Sequence, residues 1–160
     1  MAMGVWGSRA VRTGRGAGAA GVPATAAGTS TTVMLDEWDT LQVTANDVSG
    51  TIIESSLPVW AVGAVPCVNI PTSVTYCDHI EEQLLPLDYW GQTYVGAHAP
   101  TRGSEDYYWR IYGGEDGVTV TTTPPQPNTP ATLNKGEFVE FFTQQSFMIE
   151  GDGPIMPVQY

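Results

Sequence analysis

The residues with the most evident chemistry lie in one short segment, where two cysteines are followed at once by polar side chains. Cys67 and Cys77 are the only cysteines of the chain, and Pro71 lies between them. This spacing favours a disulfide that closes a surface loop, and on the chain-entropy estimate the bridge contributes about 2.5–3 kcal/mol. Two free buried thiols are the alternative. Oxidised cysteines predict an exported protein.

The same segment contains side chains that could bind a metal or act as a nucleophile, since Asp78, His79 and Glu81 follow the second cysteine. Its spacing matches no common zinc pattern, and a structural zinc site needs four ligands. A Cys–His nucleophilic pair needs a third group that orients the histidine, and the sequence shows none. We therefore expect no metal site and no catalytic residue here. Asp78 and His79 are candidate binding residues.

Aromatic side chains form a second candidate binding site. Three alternate residues of one predicted strand make up its first face: Tyr108, Arg110 and Tyr112. Trp109 and Ile111 point to the opposite face, because successive side chains of a strand alternate. An exposed tyrosine–arginine face suits the stacking of a sugar or the recognition of a protein, and Trp90 is a further candidate. Packing between neighbouring strands is the alternative interpretation.

Acidic side chains gather in predicted turns, as at Glu115 and Asp116. We expect these acids to be solvated, since no EF-hand loop is present, and a weak calcium site built from such turn oxygens is the alternative. His98 shares a strand face with Tyr94, and we expect it to be half-buried beside an aromatic ring. The motifs of serine hydrolases, P-loop proteins, dinucleotide enzymes and zinc proteases are absent from the sequence, so we expect no enzyme and no cofactor.

The charge of the chain limits its partners. Its 160 residues contain 17 acids and 6 bases, a net charge of −11. Three of the bases and none of the acids lie in the first thirty residues, so residues 31–160 carry three bases against 17 acids, a net charge of −14. The phosphates of a nucleic acid would be repelled by this surface. The sequence contains no run of eighteen apolar residues that would predict a membrane-spanning helix.

The pattern from residue 31 onward is typical of short strands, because runs of Val, Thr, Ile and aromatics alternate with Gly, Pro, Asn and Asp. Strands are predicted over 32–35, 40–44, 50–54, 59–65, 93–99, 107–113, 118–122, 131–134, 137–142, 146–150 and 155–159. One short helical turn is predicted near 78–85, since acids in its first turn precede Leu84 and Leu85, and Pro86 ends it.

Two segments of the chain resemble each other, which predicts an internal repeat. Residues 35–39 match 133–137 at an offset of 98, and residues 53–54 match 149–150 at an offset of 96. The two copies, about 33–65 and 105–160, can each bury one apolar face against the other, as a sandwich requires. Residues 1–30 are rich in Ala, Gly and Arg and lack a convincing signal-peptide core, so we expect a disordered or truncated leader.

Several strings of the sequence have a distinctive composition and order. They are Asn69–Pro71, Cys77-Asp-His-Ile-Glu-Glu-Gln-Leu84, Trp90-Gly91, Tyr94-Val95, Trp109-Arg-Ile111, Glu115-Asp-Gly-Val-Thr-Val120, Leu133-Asn-Lys-Gly-Glu-Phe138 and Pro154-Ile-Met-Pro-Val-Gln-Tyr160. Over about residues 33–160 these strings resemble the IgG Fc-binding protein N-terminal domain family. The resemblance implies an extracellular, disulfide-containing β-domain, here as a partial domain of a bacterial secreted or surface protein. It implies no catalytic residues, and the family name by itself does not assign immunoglobulin binding to this chain.

These observations predict an all-β fold, an antiparallel two-repeat β-sandwich or jelly-roll-like domain over 31–160 after a leader at 1–30. We expect a non-catalytic binding or adhesion module of a larger secreted or surface protein. Its partner would be a protein or a glycan, and the neighbouring domains of the same chain are further partners. A structural spacer domain and a carbohydrate-active hydrolase are the alternatives: a spacer predicts no exposed aromatic patch, and a hydrolase predicts a cleft with convergent acids.

Overall fold

The computed structural model describes residues 2–7, 12–14, 28–44, 47–73, 75–100 and 103–160. Thirteen strands and one 3₁₀ turn lie in these residues. The strands are β1 Ala2–Gly7, β2 Arg12–Gly14, β3 Thr29–Met34, β4 Gln42–Thr44, β5 Ile52–Ser55, β6 Val62–Val68, β7 Asp78–Gln83, β8 Gly91–Gly96, β9 Tyr107–Gly113, β10 Val118–Thr123, β11 Ala131–Leu133, β12 Phe138–Thr143 and β13 Phe147–Gln159. The 3₁₀ turn is Leu87–Tyr89. The predicted all-β class is confirmed, and no described helix is long and apolar enough to cross a membrane.

The chain divides into two compact units, Met1–Val59 and Trp60–Tyr160. The second unit contains a six-stranded antiparallel sheet in the order β11-β10-β13-β9-β12, with β8 also paired to β13. The strand β13 is 13 residues long, and its first part pairs with β8 and β10 while its last part pairs with β9. The sheet therefore curls along β13 and encloses a core.

Two glycines allow β13 to bend where the register shifts between Glu150 and Ile155. A Cβ atom on Gly151 would lie 2.9 Å from the Gly153 carbonyl oxygen and from Ile155 Cγ2. A Cβ on Gly153 would lie 2.7 Å from Val118 Cγ2. Side chains do not fit at these two positions. The two predicted strands 146–150 and 155–159 form one continuous strand that changes direction there.

The core of the second unit comes from one face of each strand. Alternate residues of β9, β10 and β12 are buried, as period-two alternation requires. The buried cluster consists of Trp109, Ile111, Val118, Val120, Leu133, Val139, Phe141, Phe147, Ile149 and Ile155. The opposite face of β9, β12 and the last part of β13 points away from this cluster and is described below.

A short loop between β10 and β11 closes one end of the sheet. Its buried polar residue Gln126 receives a hydrogen bond at its carbonyl oxygen from Thr129 Oγ1 (2.7 Å) and donates its N–H to Thr122 Oγ1 (2.8 Å). The side chain of Asn128 donates to the carbonyl oxygen of Glu140 at 2.9 Å, so the loop is tied to the edge strand β12.

The first unit contains a three-stranded sheet in the order β3-β1-β5 and a two-stranded sheet of β2 and β4. Val33 and Leu35 are buried apolar residues of this unit, and Leu41 and Ile53 pack against them. β1 and β2 lie within the predicted leader 1–30, whose other residues up to position 27 fall outside the described part. The division into a leader and a domain at 31–160 stays a prediction.

The sheet β3-β1-β5 has the same antiparallel order as β11-β10-β13. Val120 of β10 pairs with Ala131 and Gly151, and Met3 of β1 pairs with the residues at 33 and 55. The partners differ by 98 on one side and 96 on the other, which are the offsets of the two matching sequence segments. The origin of this match in a duplicated segment stays a prediction.

The turns that follow β3 and β11 also share their hydrogen bonds. In 36–39 and in 134–137 the fourth residue donates its backbone N–H to the carbonyl oxygen of the first, at 3.1 and 2.9 Å. The carboxylate of the fourth residue accepts the N–H of the first at 3.0 and 2.9 Å. The third residue has a positive φ in both turns, 72° at Trp38 and 81° at Gly136.

The strands β6 and β7 form a separate hairpin, which corrects one prediction. The helical turn predicted near 78–85 is wrong, because Asp78–Gln83 is a strand paired with β6. The 3₁₀ turn follows it at Leu87–Tyr89. The pairing with β6 determines the conformation of this acidic segment, and it overrides the helix-start signal of the acids.

Candidate functional site

Six side chains form an aligned set on the outward face of β9 and β12, which we call the outer ladder. Its members are Tyr108, Arg110 and Tyr112 of β9 and Phe138, Glu140 and Phe142 of β12. The register places each residue directly opposite its partner, so that two aromatic pairs flank one charged pair. Pairs at this position of an antiparallel sheet are close neighbours, and each contributes about 0.2–1 kcal/mol.

Arg110 lies at the centre of the outer ladder. Its Nε donates to Glu140 Oε2 at 2.9 Å and to Tyr108 Oη at 3.1 Å. The guanidinium carbon lies 4.4 Å from the Phe138 ring centroid, within the range of a cation–π contact. The Tyr108 hydroxyl donates to the same Glu140 oxygen. The arginine is therefore held by contacts on several sides, and its position is determined before any ligand arrives.

Aromatic rings continue from this centre to both ends of the face. The Tyr108 and Phe142 ring centroids are 4.7 Å apart, and those of Tyr112 and Phe138 are 5.3 Å apart. Tyr160 extends the face beyond β13, with its ring centroid 5.5 Å from that of Tyr108. Its backbone N–H donates to the carbonyl oxygen of Tyr108 at 2.9 Å.

The electrostatics of the face follow from its partial burial. Burial raises the pKa of Tyr108, and the hydrogen bond to Glu140 raises it further. Burial lowers the pKa of Arg110, but hydrogen bonds with Tyr112 and Tyr108 outweigh this effect and the net shift is upward. Burial also raises the pKa of Tyr160, to about 12. The neutral forms of Tyr108 and Tyr160 and the charged form of Arg110 are therefore favoured.

The outer ladder is accessible at its rim. The side chain of Arg110 is 20% exposed and that of Glu140 is 46% exposed, while Phe142 is 42% exposed. Rings that surround a fixed arginine are typical of the centre of a protein interface. The arrangement offers stacking surfaces and a charged hydrogen-bonding pair, and it can bind a partner without a chemical step.

The predicted binding residues fall into separate places. Tyr108, Arg110 and Tyr112 lie together as predicted by their alternation. Asp78 and His79 lie on the exposed hairpin strand β7, in a different sheet. His79 Nε2 is 3.2 Å from Glu81 Oε2, and Asp78 Oδ1 accepts the His79 N–H at 2.8 Å. Their role in binding stays a prediction.

Trp90 and His98 make packing contacts. The Trp90 indole donates to the carbonyl oxygen of Leu85 at 3.2 Å, and a Cβ on Gly114 would meet its ring at 3.1 Å. The His98 ring packs edge-on against Tyr107 with centroids 4.4 Å apart. Each of these contacts stabilises a loop at the border of the sheet. The assignment of Trp90 to ligand binding stays a prediction.

The cysteines form the predicted disulfide. Cys67 and Cys77 are bonded, with Cα atoms 5.1 Å apart, and the bridge closes the distal end of the β6–β7 hairpin. It restrains this hairpin locally and does not connect the two units.

Several turn carboxylates accept backbone N–H groups. Asp152 Oδ1 accepts from Thr119 at 2.6 Å, and Asp116 Oδ1 accepts from Lys135 at 3.0 Å. Within the described ranges no three His, Cys, Asp or Glu side chains are placed to share a metal ion. Weak calcium binding stays a prediction.

The sequence interpretation missed the β12 half of the outer ladder. Phe138, Glu140 and Phe142 alternate in the same way as the three β9 residues, and this signal was available in the sequence. Their pairing with β9 depends on the register, which alternation within one strand does not specify. Tyr160 was missed as well, because its contact depends on how β13 bends.

Comparison with known proteins identifies the family. The family model described as IgGFc binding protein matches residues 9–160. The chain belongs to the IgGFc-binding protein family. It is 31% identical over 117 residues to the IgGFc-binding protein of Homo sapiens. That match covers 72% of the chain and 2% of the human protein, so the chain spans a small part of its relative's length. No solved structure matches the chain.

Proposed function

We propose that the chain is a non-catalytic extracellular module that binds a protein, and that the outer ladder with Tyr160 is its contact surface. The observation that supports the proposal is the fixed Arg110, which is paired with Glu140 and surrounded by rings while Phe142 remains 42% exposed. An interface that contains an arginine held in advance loses little side-chain entropy on binding. The disulfide Cys67–Cys77 supports an extracellular location.

The family suggests which protein to test first. The human relative is named for binding the Fc part of IgG, so we propose IgG Fc as the first candidate ligand. Tyrosine, phenylalanine and arginine are side chains that suit a broad protein surface, and the three strands β12, β9 and β13 present them on one continuous face. We further propose that the chain is part of a bacterial surface protein and that it acts in adhesion.

A binding measurement with matched variants tests the proposal. The chain is passed over immobilised human IgG Fc and over a glycan array, together with Phe142→Ser and Arg110→Ala. We expect each variant to weaken Fc binding by about tenfold or more, as hot-spot side chains do. Val95→Ser is the matched control, because Val95 is 75% exposed on β8 and lies outside the ladder. Its affinity should stay within about twofold.

The other outcomes separate the alternatives. If the chain binds glycans but not Fc, and Phe142→Ser loses this binding, the ligand of the surface is a sugar and not a protein. Background signals on both surfaces favour the spacer function, and turnover of a glycan substrate by the wild-type chain would favour the hydrolase. Equal affinities for the ladder variants and the control contradict the assigned surface.

A further inference from the structure

A second surface lies on the β6–β7 hairpin, in a sheet separate from the outer ladder. Val62 of β6 lies directly opposite Gln83 of β7, and Glu81 is two residues before Gln83 on the same strand. The side chains of these three residues therefore share one face of the hairpin. Trp60 precedes β6 and adds its ring to this face. Together with Glu82 they line a groove of about 220 Å³, which we call the hairpin groove.

The apolar side of the hairpin groove is uncovered. Trp60 is 77% exposed and Val62 is 47% exposed. No described residue of β6 or β7 is buried, although a two-stranded sheet gains its stability from packing against other elements. Exposed apolar side chains that cluster beside polar ones mark interaction surfaces.

Charge determines which partner fits. Glu81 lines the hairpin groove together with the exposed Trp60, and the chain carries a net charge of −11. A second copy of the chain or an anionic lipid surface would bring further negative charge to the groove and would be repelled. A cationic side chain gains from the Glu81 carboxylate and from the electron-rich face of the tryptophan.

The volume of the groove points to a single side chain. Pockets for small organic ligands measure about 300–1,000 Å³, and this groove is smaller. The aliphatic stem of an arginine or lysine can lie on Val62 while its charged end meets Glu81 and the ring of Trp60. We propose that the hairpin groove docks a basic segment of a partner protein by seating one of its arginine or lysine side chains.

Fluorescence anisotropy with a fluorescein-labelled peptide that alternates arginine and glycine tests this proposal on the full chain. We expect saturable binding, and no binding of the matched peptide with glutamate in place of arginine. Trp60→Ser should weaken binding about fivefold, and Trp60→Tyr should restore most of it because the ring is retained. No binding of the arginine peptide, or unchanged binding by Trp60→Ser, would overturn the proposal.

Two controls separate this groove from general attraction and from the outer ladder. Glu81→Gln should weaken binding about fivefold, whereas Glu54→Gln removes the same charge from the other unit and should have little effect. Equal losses in the two variants would show attraction to net charge alone and overturn the proposal. Phe142→Ser should bind the peptide as the wild-type chain does. The peptide measurement therefore tests the hairpin groove whether or not the proposal for the outer ladder holds.

Discussion

The sheet β3-β1-β5 of the first unit and the strands β11-β10-β13 of the second share their order and register, but matching apolar residues are buried to different depths. Val139 and Ile149 are buried in the second unit. Leu41 and Ile53, which lie at the same offsets in the first unit, are half-buried. Backbone pairing and turn geometry are therefore the same where the depth of burial is not. Hydrogen bonds specify which strands are neighbours, while the depth of burial depends on how many further strands contribute side chains.

The largest effect is expected from truncation of two matched leucines. Leu133 and Leu35 are each 6% exposed and lie at matching positions, Leu133 at the end of β11 and Leu35 directly after β3. Leu133 packs among buried residues, whereas Leu41 and Ile53, which pack against Leu35, are half-buried. Leu133→Ala should lower the free energy of unfolding by about 3–5 kcal/mol and Leu35→Ala by about 2 kcal/mol, since half-buried neighbours can move into the space that the side chain leaves. Urea unfolding of both variants measures the difference. Equal losses would show that the two cores are energetically equivalent.

A smaller effect is expected from the third residue of the shared turn. Trp38 has φ of 72° and is 91% exposed, whereas Gly136 has φ of 81°. Trp38→Gly should stabilise the chain by about 1 kcal/mol because the left-handed conformation disfavours a side chain, and Gly136→Ala should destabilise it by about 1 kcal/mol. Thermal unfolding gives both values. Shifts of the same sign would contradict the equivalence of the turns.

The effect that is smallest at neutral pH concerns the ionisable aromatic face of the second unit, because it develops only as pH rises above about 10. The pKa of Tyr160 is raised to about 12 by burial, so the folded state favours the neutral phenol. Stability from this group is complete below the ordinary tyrosine pKa of about 10 and is lost as pH rises through 12, because the unfolded chain releases the proton first. Unfolding midpoints measured from pH 9 to 12 should fall less steeply in Tyr160→Phe. An identical slope would contradict the shift.

The strands that can be predicted from the sequence are those with clean alternation. Residues 107–113 were predicted with the observed bounds of β9, and β10 and β12 were predicted to within one residue at either end. The strand β7 was missed because Ile80 is its one apolar residue and its acids are typical of a helix start. Its conformation depends on pairing with β6 and on the disulfide, which act across the fold.

The candidate site was half predictable for the same reason. Alternation alone placed Tyr108, Arg110 and Tyr112 on one face, but the residues opposite them depend on the register between β9 and β12. The same limit applies to the bend of β13, where Gly151 and Gly153 are typical of a turn in sequence. In the structure they let a single strand serve both β10 and β9.

The hydrogen bond between Asn128 and Glu140 affects whether another molecule can pair with the edge strand β12. The backbone N–H of Gly113 donates to the carbonyl oxygen of Glu137, so residue 137 directs its carbonyl group toward β9. Because this direction alternates along an antiparallel strand, the backbone groups of residue 140 point away from β9, toward the open side of β12. The side-chain amide of Asn128 donates a hydrogen bond to the carbonyl oxygen of Glu140. A strand from a neighbouring molecule would have to displace the Asn128 side chain before it could pair with β12. The loop therefore opposes edge-to-edge aggregation of the chain.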